Sequence, residues 1–412
     1  MTEAVTARMN PITLAERIET IDIVRGLALF GILASNMRAF NSPLATYMDH
    51  SLMWLGSWDR IAQGFVDLVI SGKFITIFSF LFGLGFAVMM ERAEARGVVG
   101  RGFYFRRVGL LFAMGVIHAI FIWYGDILSA YGFMGFFLYL FRRRSPVTVL
   151  RWALLLYCWP IVVSVMMTTL VAAGVPIPPP TSPTPEQFQA TIQAYSSGTY
   201  MDIFRERMKE NAFMAFAFAF YYPRLLGLFL AGLWVWRKGV VKELGAHREL
   251  LVKLRNWGLT VGLVLSGVTV ALNEIYHPNP MGFEPLTLAI NVIGSIGVPA
   301  LSLGYMTAVA LLFQKEEWKP RLRPFGAVGR TALTNYLSQT ALCTTLYYSW
   351  GFGLYGRVGP LLGLVSTFVF YALLVVLSNW WVKRFAFGPL EWGWRTLTYG
   401  QAPAIHRAPA GR

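Results

Sequence analysis

The sequence predicts an all-α protein: a polytopic transmembrane helical bundle of about ten spanning helices, with N- and C-termini cytoplasmic. Three observations carry that prediction. The 412 residues are 56% hydrophobic and only 14% charged, with a mean hydropathy of +0.51, a balance foreign to soluble domains. The apolar residues gather into ten runs, at about 22–40, 62–90, 107–124, 127–141, 147–173, 211–236, 257–275, 285–313, 331–350 and 358–382. The basic residues gather in alternate loops between those runs.

With the N-terminus inside, the inner loops hold Arg92 to Arg107, Arg142-Arg143-Arg144, Arg237 to Arg255, Lys315 to Arg330 and the tail from Lys383. The outer loops hold scattered basics such as Arg60, Lys209 and Arg357. The net charge of +15 therefore encodes membrane orientation, and no nucleic acid partner is expected. Membrane lipids are the expected surroundings, and a bacterial plasma (inner) membrane the expected location. Residues 1–412 read as a single transmembrane domain, divisible into 1–145, an outer segment 174–210, a second helical part 211–382 and a cytoplasmic tail 383–412. Cys158 and Cys343 both fall inside apolar runs, where a packing role is expected and no disulfide framework. Met1 to Glu19 is polar and mixed in charge and does not look like a cleavable signal.

The first run carries Asp22 and Arg25, three apart on one helix face near the cytoplasmic entry, and Asn36 three turns further out. A structural ion pair and a functional pair both fit Asp22 and Arg25. His50, in the outer loop that follows, is either an exposed histidine or a site residue. The second run opens on Ser71-Gly-Lys73-Phe. Lys73 either snorkels outward or points into a recess and holds an anion.

The third and fourth runs form a hairpin with a histidine and an aspartate in otherwise apolar sequence, His118 and Asp126. Charged groups there cost roughly 2.5–3.5 kcal/mol on insertion and usually face a cavity. The hairpin allows two helices of about 24 Å each, short of the about 30 Å of hydrocarbon. The expectation is an outward-facing recess with Asp126 at its bottom and His118 roughly 12 Å deeper along the helix. The structural alternative is a capping aspartate and a histidine bonded to a neighbouring carbonyl.

The outer segment Ala173 to Asn211 begins as a polyproline spacer and continues, from Glu186 to Lys209, with amphipathic spacing. It reads as a surface helix, either a lid or a passive linker. The sixth run contains Tyr221-Tyr-Pro223-Arg224, a proline kink beside an arginine near mid-membrane that needs a carboxylate, carbonyl or bound anion. The loop Lys238 to Arg255 suits the anionic inner leaflet. The ninth run is polar, with Thr331, Thr334-Asn335-Tyr336 and Ser338-Gln339-Thr340 placed to bond across the bundle or line a cavity. In the tail, Glu391 and Arg395 sit at helical spacing in a short interfacial helix that would seal the inner mouth. No long internal repeat supports an inverted-repeat transporter.

Several of these runs resemble one family. Asp22-Ile-Val-Arg25-Gly26, Lys73-Phe with Phe78-Ser79-Phe-Leu-Phe-Gly83, His118 with Gly125-Asp126-Ile-Leu, Thr334-Asn335-Tyr336 with Gln339, and Gly388-Pro-Leu-Glu391-Trp with Arg395-Thr-Leu-Thr-Tyr399-Gly are similar to the YeiB-type integral membrane proteins, a bacterial family of unknown function. The resemblance covers nearly the whole chain, and the tail motif is the most specific.

That family is in turn similar, in its first helices, to the transmembrane acyltransferases, heparan-alpha-glucosaminide N-acetyltransferase among them. The resemblance implies transfer of an acyl group from acyl-CoA, as co-substrate, to a sugar, glycan or lipid acceptor. Many of those enzymes carry an arginine on the first helix and a histidine three turns on. Here Arg25 is present but Asn36 stands at the histidine position and cannot act as a base. His118 and His50 are the replacements, with Asp126 orienting an imidazole, and Arg25, Lys73 or Arg224 holding phosphates or an oxyanion. Asn36, Asn335, Tyr336 and Gln339 complete the expected substrate-binding set, and Asp22, Glu391 and Arg395 the structural one. No metal is expected, and a homodimer is among the candidate assemblies. Two other functions fit the residues: a transporter or flippase for an amphipathic or anionic small molecule, and a non-catalytic lipid- or quinone-binding protein.

Overall fold

The structure, a computed structural model, describes residues 18–47, 53–97, 101–176, 183–278 and 282–406. The N-terminal segment before residue 18 and His50 lie outside them. Fourteen α-helices make up the described chain: α1 (Glu19–Asn41), α2 (Ser57–Val69), α3 (Lys73–Ala95), α4 (Arg101–Phe121), α5 (Leu128–Leu138), α6 (Pro146–Ala172), α7 (Pro185–Ser197), α8 (Tyr200–Arg237), α9 (Arg248–Tyr276), α10 (Pro285–Phe313), α11 (Lys319–Arg330), α12 (Ala332–Tyr347), α13 (Pro360–Arg384) and α14 (Pro389–Tyr399). The protein is a helical bundle of multi-pass membrane type.

Seven described helices are long and apolar enough to cross a membrane, and eight if the bent α8 counts as one crossing. The two remaining predicted runs are shorter. The fourth becomes α5 with a 3-10 turn to Phe141, and the ninth becomes the 16-residue α12. Helix α12 is polar and largely buried among other helices, while α5 packs Gly132 and Gly135 against α4 and turns Phe133 and Phe137 outward.

Three boundaries depart from the sequence reading. The second run breaks into α2 and α3 at Gly72, whose φ of +79° is a left-handed conformation that glycine tolerates. The basic stretch read as a loop, Lys315 to Arg330, contains α11. Its charges and its two prolines hide the helix, and packing decides it. A Cβ on Gly26 of α1 would strike the Phe325 carbonyl, and one on Gly329 of α11 the Asp22 carbonyl, so the two backbones touch through glycines. The outer segment is two helices, α7 and the outer part of α8, each opened by a capping box (Thr184 with Gln187, Thr199 with Asp202). The outer part of α8 runs on through a 62° bend into the crossing part.

The hydrophobic core lies where α1, α3, α4, α5, α8, α11 and α12 meet, and it includes Leu29, Leu33, Phe40, Tyr131, Phe229 and Val328. The exposed apolar side chains of α6, α9 and α13, such as Leu154, Val264 and Val376, face outward. A bundle in lipid shows this inversion, because tails solvate leucine as well as protein does.

Candidate functional site

The site forms at the break between α4 and α5. Helix α4 ends at Phe121, and the Ile122 and Trp123 amides both donate to the His118 carbonyl, which turns the chain back on itself. Trp123 stacks on Phe40 of α1 with ring centroids 4.0 Å apart, and the Tyr124 hydroxyl donates to the Ala39 carbonyl. Those anchors fold residues 122–127 inward. Asp126 thereby returns alongside His118.

The outcome differs from the expected 12 Å offset. His118 Nδ1 and Asp126 Oδ1 are 2.9 Å apart, with both residues buried, 2% and 3% exposed. The estimate assumed a straight helix, and the chain bends instead. The other Asp126 oxygen accepts the Ser129 amide at 2.7 Å, in the first turn of α5. The capping reading is thus right for Asp126, and the cap doubles as a support for the imidazole. A carboxylate at that helix N-terminus is favoured by the aligned peptide dipoles. Among the described residues His118 is bonded to no backbone carbonyl; its Nε2 lies 3.2 Å from Thr340 Oγ1 on α12. With the carboxylate accepting the Nδ1 hydrogen, Nε2 is left as the basic nitrogen, facing a hydroxyl.

Carbonyls freed where α4 stops are taken up by α8. Asn211 Nδ2 donates to the Ala119 carbonyl at 2.9 Å, Arg207 to Ile120 at 3.1 Å and Tyr200 to Phe121 at 2.8 Å. The outer part of α8 therefore clamps the turn of α4 that carries His118.

The expected single recess is two cavities on opposite ends of the bundle. The inner one, about 300 Å³, opens at the arginine-rich end. Arg25, Arg92, Arg96, Arg107, Arg330 and Arg395 surround its mouth, and its deep end is walled by Phe78, Leu81, Tyr131, Ile127, Leu128 and Tyr336. Helix α14 lies across the mouth as expected: Trp394 Nε1 donates to the Arg107 carbonyl at 3.0 Å, and the Arg107 guanidinium sits 3.8 Å over the Trp394 ring. The outer cavity, about 890 Å³, holds Lys73 and Arg224. His118 and Asp126 line neither cavity. Tyr336 stands between the pair and the inner one, its ring 5.7 Å from the imidazole and its hydroxyl accepting the Ile127 amide at 3.3 Å.

The other expected residues divide by geometry. Asp22 and Arg25 form an ion pair at 2.9 Å, and Arg25 also lines the inner cavity. Glu391 gives both oxygens to the start of α12, accepting from the Leu333 amide at 2.6 Å and the Thr334 hydroxyl at 2.6 Å. Burial raises the Glu391 carboxyl above its ordinary range, and these hydrogen bonds offset part of the rise. Arg395 lies 4.6 Å over the Phe387 ring. Asn335 bonds to Val328, Thr331 and Ser378, and Gln339 to the Leu29 carbonyl, so both tie the bundle together instead of facing either cavity. Asn36 is half-buried on α1 and lines neither cavity. Cys158 is exposed and Cys343 buried, both free. Among the described residues no group of histidines, cysteines and carboxylates has metal-ligand geometry.

The sequence left one partner and one residue of the site unmarked. Thr340 stood in a polar run expected to bond across the bundle, but nothing local marks a partner 222 residues away. Gly115 was one glycine among 39.

Comparison with known proteins places the chain. The family described as "Protein of unknown function (DUF418)" matches residues 235–401. The chain is 34% identical over 409 residues to the uncharacterized protein YxaH of Bacillus subtilis, covering 95% of this chain and 96% of that one. It is 30% identical over 405 residues to the uncharacterized protein YeiB of Escherichia coli, covering 95% and 99%. An uncharacterized 39.9 kDa protein encoded in the amylase 3′ region of Bacillus acidopullulyticus is 28% identical over 396 residues. Matched along nearly its full length by YxaH and YeiB, the chain belongs to the YeiB-type family of unknown function.

Proposed function

We propose that the protein is a membrane-bound acyltransferase of the bacterial plasma membrane, moving an acyl group from acyl-CoA to a sugar or lipid acceptor. One observation carries this reading: a cavity with an arginine mouth at the basic end runs to an apolar floor formed by Ile127, Leu128 and Tyr336, directly behind the His118–Asp126 pair. Arginines match phosphate oxygens two at a time, which suits the phosphates of a CoA nucleotide at the mouth. The apolar throat suits a pantetheine arm and its thioester.

In this mechanism the acceptor hydroxyl or amine attacks the thioester carbon as His118 Nε2 takes its proton. Asp126 holds the ring in the tautomer that leaves Nε2 free and stabilises the imidazolium. The tetrahedral oxyanion then collapses, the carbon–sulfur bond breaks, and the imidazolium returns the proton to the departing CoA thiolate. Tyr336 must swing aside for the thioester to reach the imidazole. Non-catalytic quinone or lipid binding fits less well, since it predicted a histidine bonded to main chain and an apolar pocket throughout.

Equilibrium binding of acetyl-CoA to the purified protein tests the substrate assignment. Arg107→Gln and Arg395→Gln are each expected to weaken binding about tenfold, the loss of one charge-assisted contact. Wild-type affinity in both variants, or no acetyl-CoA binding at all, removes the inner cavity from the account.

A further inference from the structure

The outer cavity has no role in that mechanism. It lies at the end of the bundle away from the arginine-rich loops, between parts of α1, α2, α3, α6, α8, α9 and α10. Its volume of about 890 Å³ is that of a pocket for an organic ligand, near the upper end of the usual range of ~300–1,000 Å³. Besides Arg38, which donates to the Thr46 hydroxyl and lies over the Tyr47 ring, two cations line it. Lys73, 3% exposed, spends one hydrogen on the Asp67 carbonyl at 2.7 Å. Arg224 donates to the Tyr157 carbonyl at 3.3 Å and to the Ser295 hydroxyl, and stacks over the Tyr157 ring. Neither cation forms an ion pair with a carboxylate among the described residues. Asp67, the only carboxylate lining the cavity among the described residues, already accepts from Gln63 and Ser71.

Neutral donors are in surplus as well. The buried Ser266 hydroxyl has no hydrogen-bond partner among the described residues, and it lines this cavity. A cavity at membrane depth with surplus positive charge and an unsatisfied donor is costly when empty of anions. We infer that the outer cavity binds a phosphate ester, with Lys73 and Arg224 holding the phosphate and Ser266 bonding the rest of the headgroup. A phosphate offers more acceptor oxygens than a carboxylate and matches two separated cations and a hydroxyl. The inference is independent of acyl transfer.

Thermal unfolding of the purified full-length protein in neutral detergent tests it, with two probes: dihexanoyl-phosphatidic acid as a lipid and glycerol 1-phosphate as a soluble ester. Saturable stabilisation by either supports the site, and the probe that binds more tightly identifies the source. Lys73→Gln and Arg224→Gln are each expected to raise the half-saturating concentration at least tenfold, and Arg107→Gln, in the inner cavity, to leave it unchanged. Gly294→Leu supplies an arm that spares both cations. Gly294 lines the cavity, and a Cβ there meets only the Thr269 side chain at ordinary contact distance, so a side chain can start from this position without striking backbone. The leucine is expected to abolish the stabilisation. Equal stabilisation by dihexanoylglycerol, which lacks the phosphate, no response to either probe, or full binding by the Gly294→Leu protein overturns the assignment.

Discussion

Gly115 of α4 packs directly against the backbone of Ser129 in α5: a Cβ at residue 115 would collide with the Ser129 amide nitrogen and crowd Asp126 Oδ2. The amide it would strike is the one that donates to Asp126 Oδ2. The glycine lies one turn before His118, so the close approach of the two helices sets the position of the carboxylate. Gly115→Val is expected to push α5 away from α4 at an overpacking cost of about 1–3 kcal/mol. Thermal unfolding in detergent should show the loss of stability. Acyl transfer should fall further than stability explains, because the Asp126–His118 bond is broken.

Asp126→Asn separates orientation from packing. The amide keeps the shape of the carboxylate but offers a donor or a weaker acceptor to Nδ1, so the favoured tautomer changes and the imidazolium loses its counter-charge. A fall in kcat of about 10²–10⁴-fold is expected. KM for acyl-CoA should hold, since Asp126 lines neither cavity. Steady-state kinetics in proteoliposomes distinguish this from a binding defect, which would raise KM instead.

The clamp from α8 predicts a distant effect on the same step. Asn211→Leu leaves the Ala119 carbonyl without its side-chain donor, at a cost of about 1–3 kcal/mol for an unmet buried acceptor. The turn carrying His118 should loosen, and amide hydrogen exchange at residues 118–124 should accelerate. Unchanged exchange there would show that α8 covers the site without holding it.

Glu391 gives a pH dependence with a definite sign. Its folded pKa is raised by burial, so the native state holds a proton that the unfolded chain releases. Stability should therefore decline as pH rises from the ordinary carboxylate range through the raised value, and the penalty is complete above it. Glu391→Gln removes that titration. Melting temperature across this window should be flatter for the variant than for wild type, and parallel curves would assign the dependence to another group.

Much of the fold was legible in the sequence because lipid imposes it. Length, hydropathy and the alternation of basic loops identified the apolar runs without any knowledge of contacts. What remained hidden depended on backbone approach. Helix α11 is recognisable only from Gly26 and Gly329 meeting, and the break before Asp126 only from Trp123 stacking on Phe40. The site was half legible. An ionisable residue in an apolar run marks itself, as His118 and Asp126 did, but their separation required knowing that the chain folds back. Lys73 and Arg224 also marked themselves, yet nothing in the spacing put them in a different cavity from Arg25 and Tyr336. Thr340 was legible as a hydroxyl bonding across the bundle, but not that His118 is the residue it faces.

The most direct test of the account is transfer of radiolabel from [14C]acetyl-CoA to extractable lipid or glycan in proteoliposomes, comparing wild type with His118→Ala. The account predicts a covalently labelled product with wild type and a loss of at least 10²-fold with the variant. Wild-type labelling by His118→Ala would contradict it, and so would an unlabelled acceptor pool in wild-type vesicles that nonetheless carry an anionic solute across the membrane.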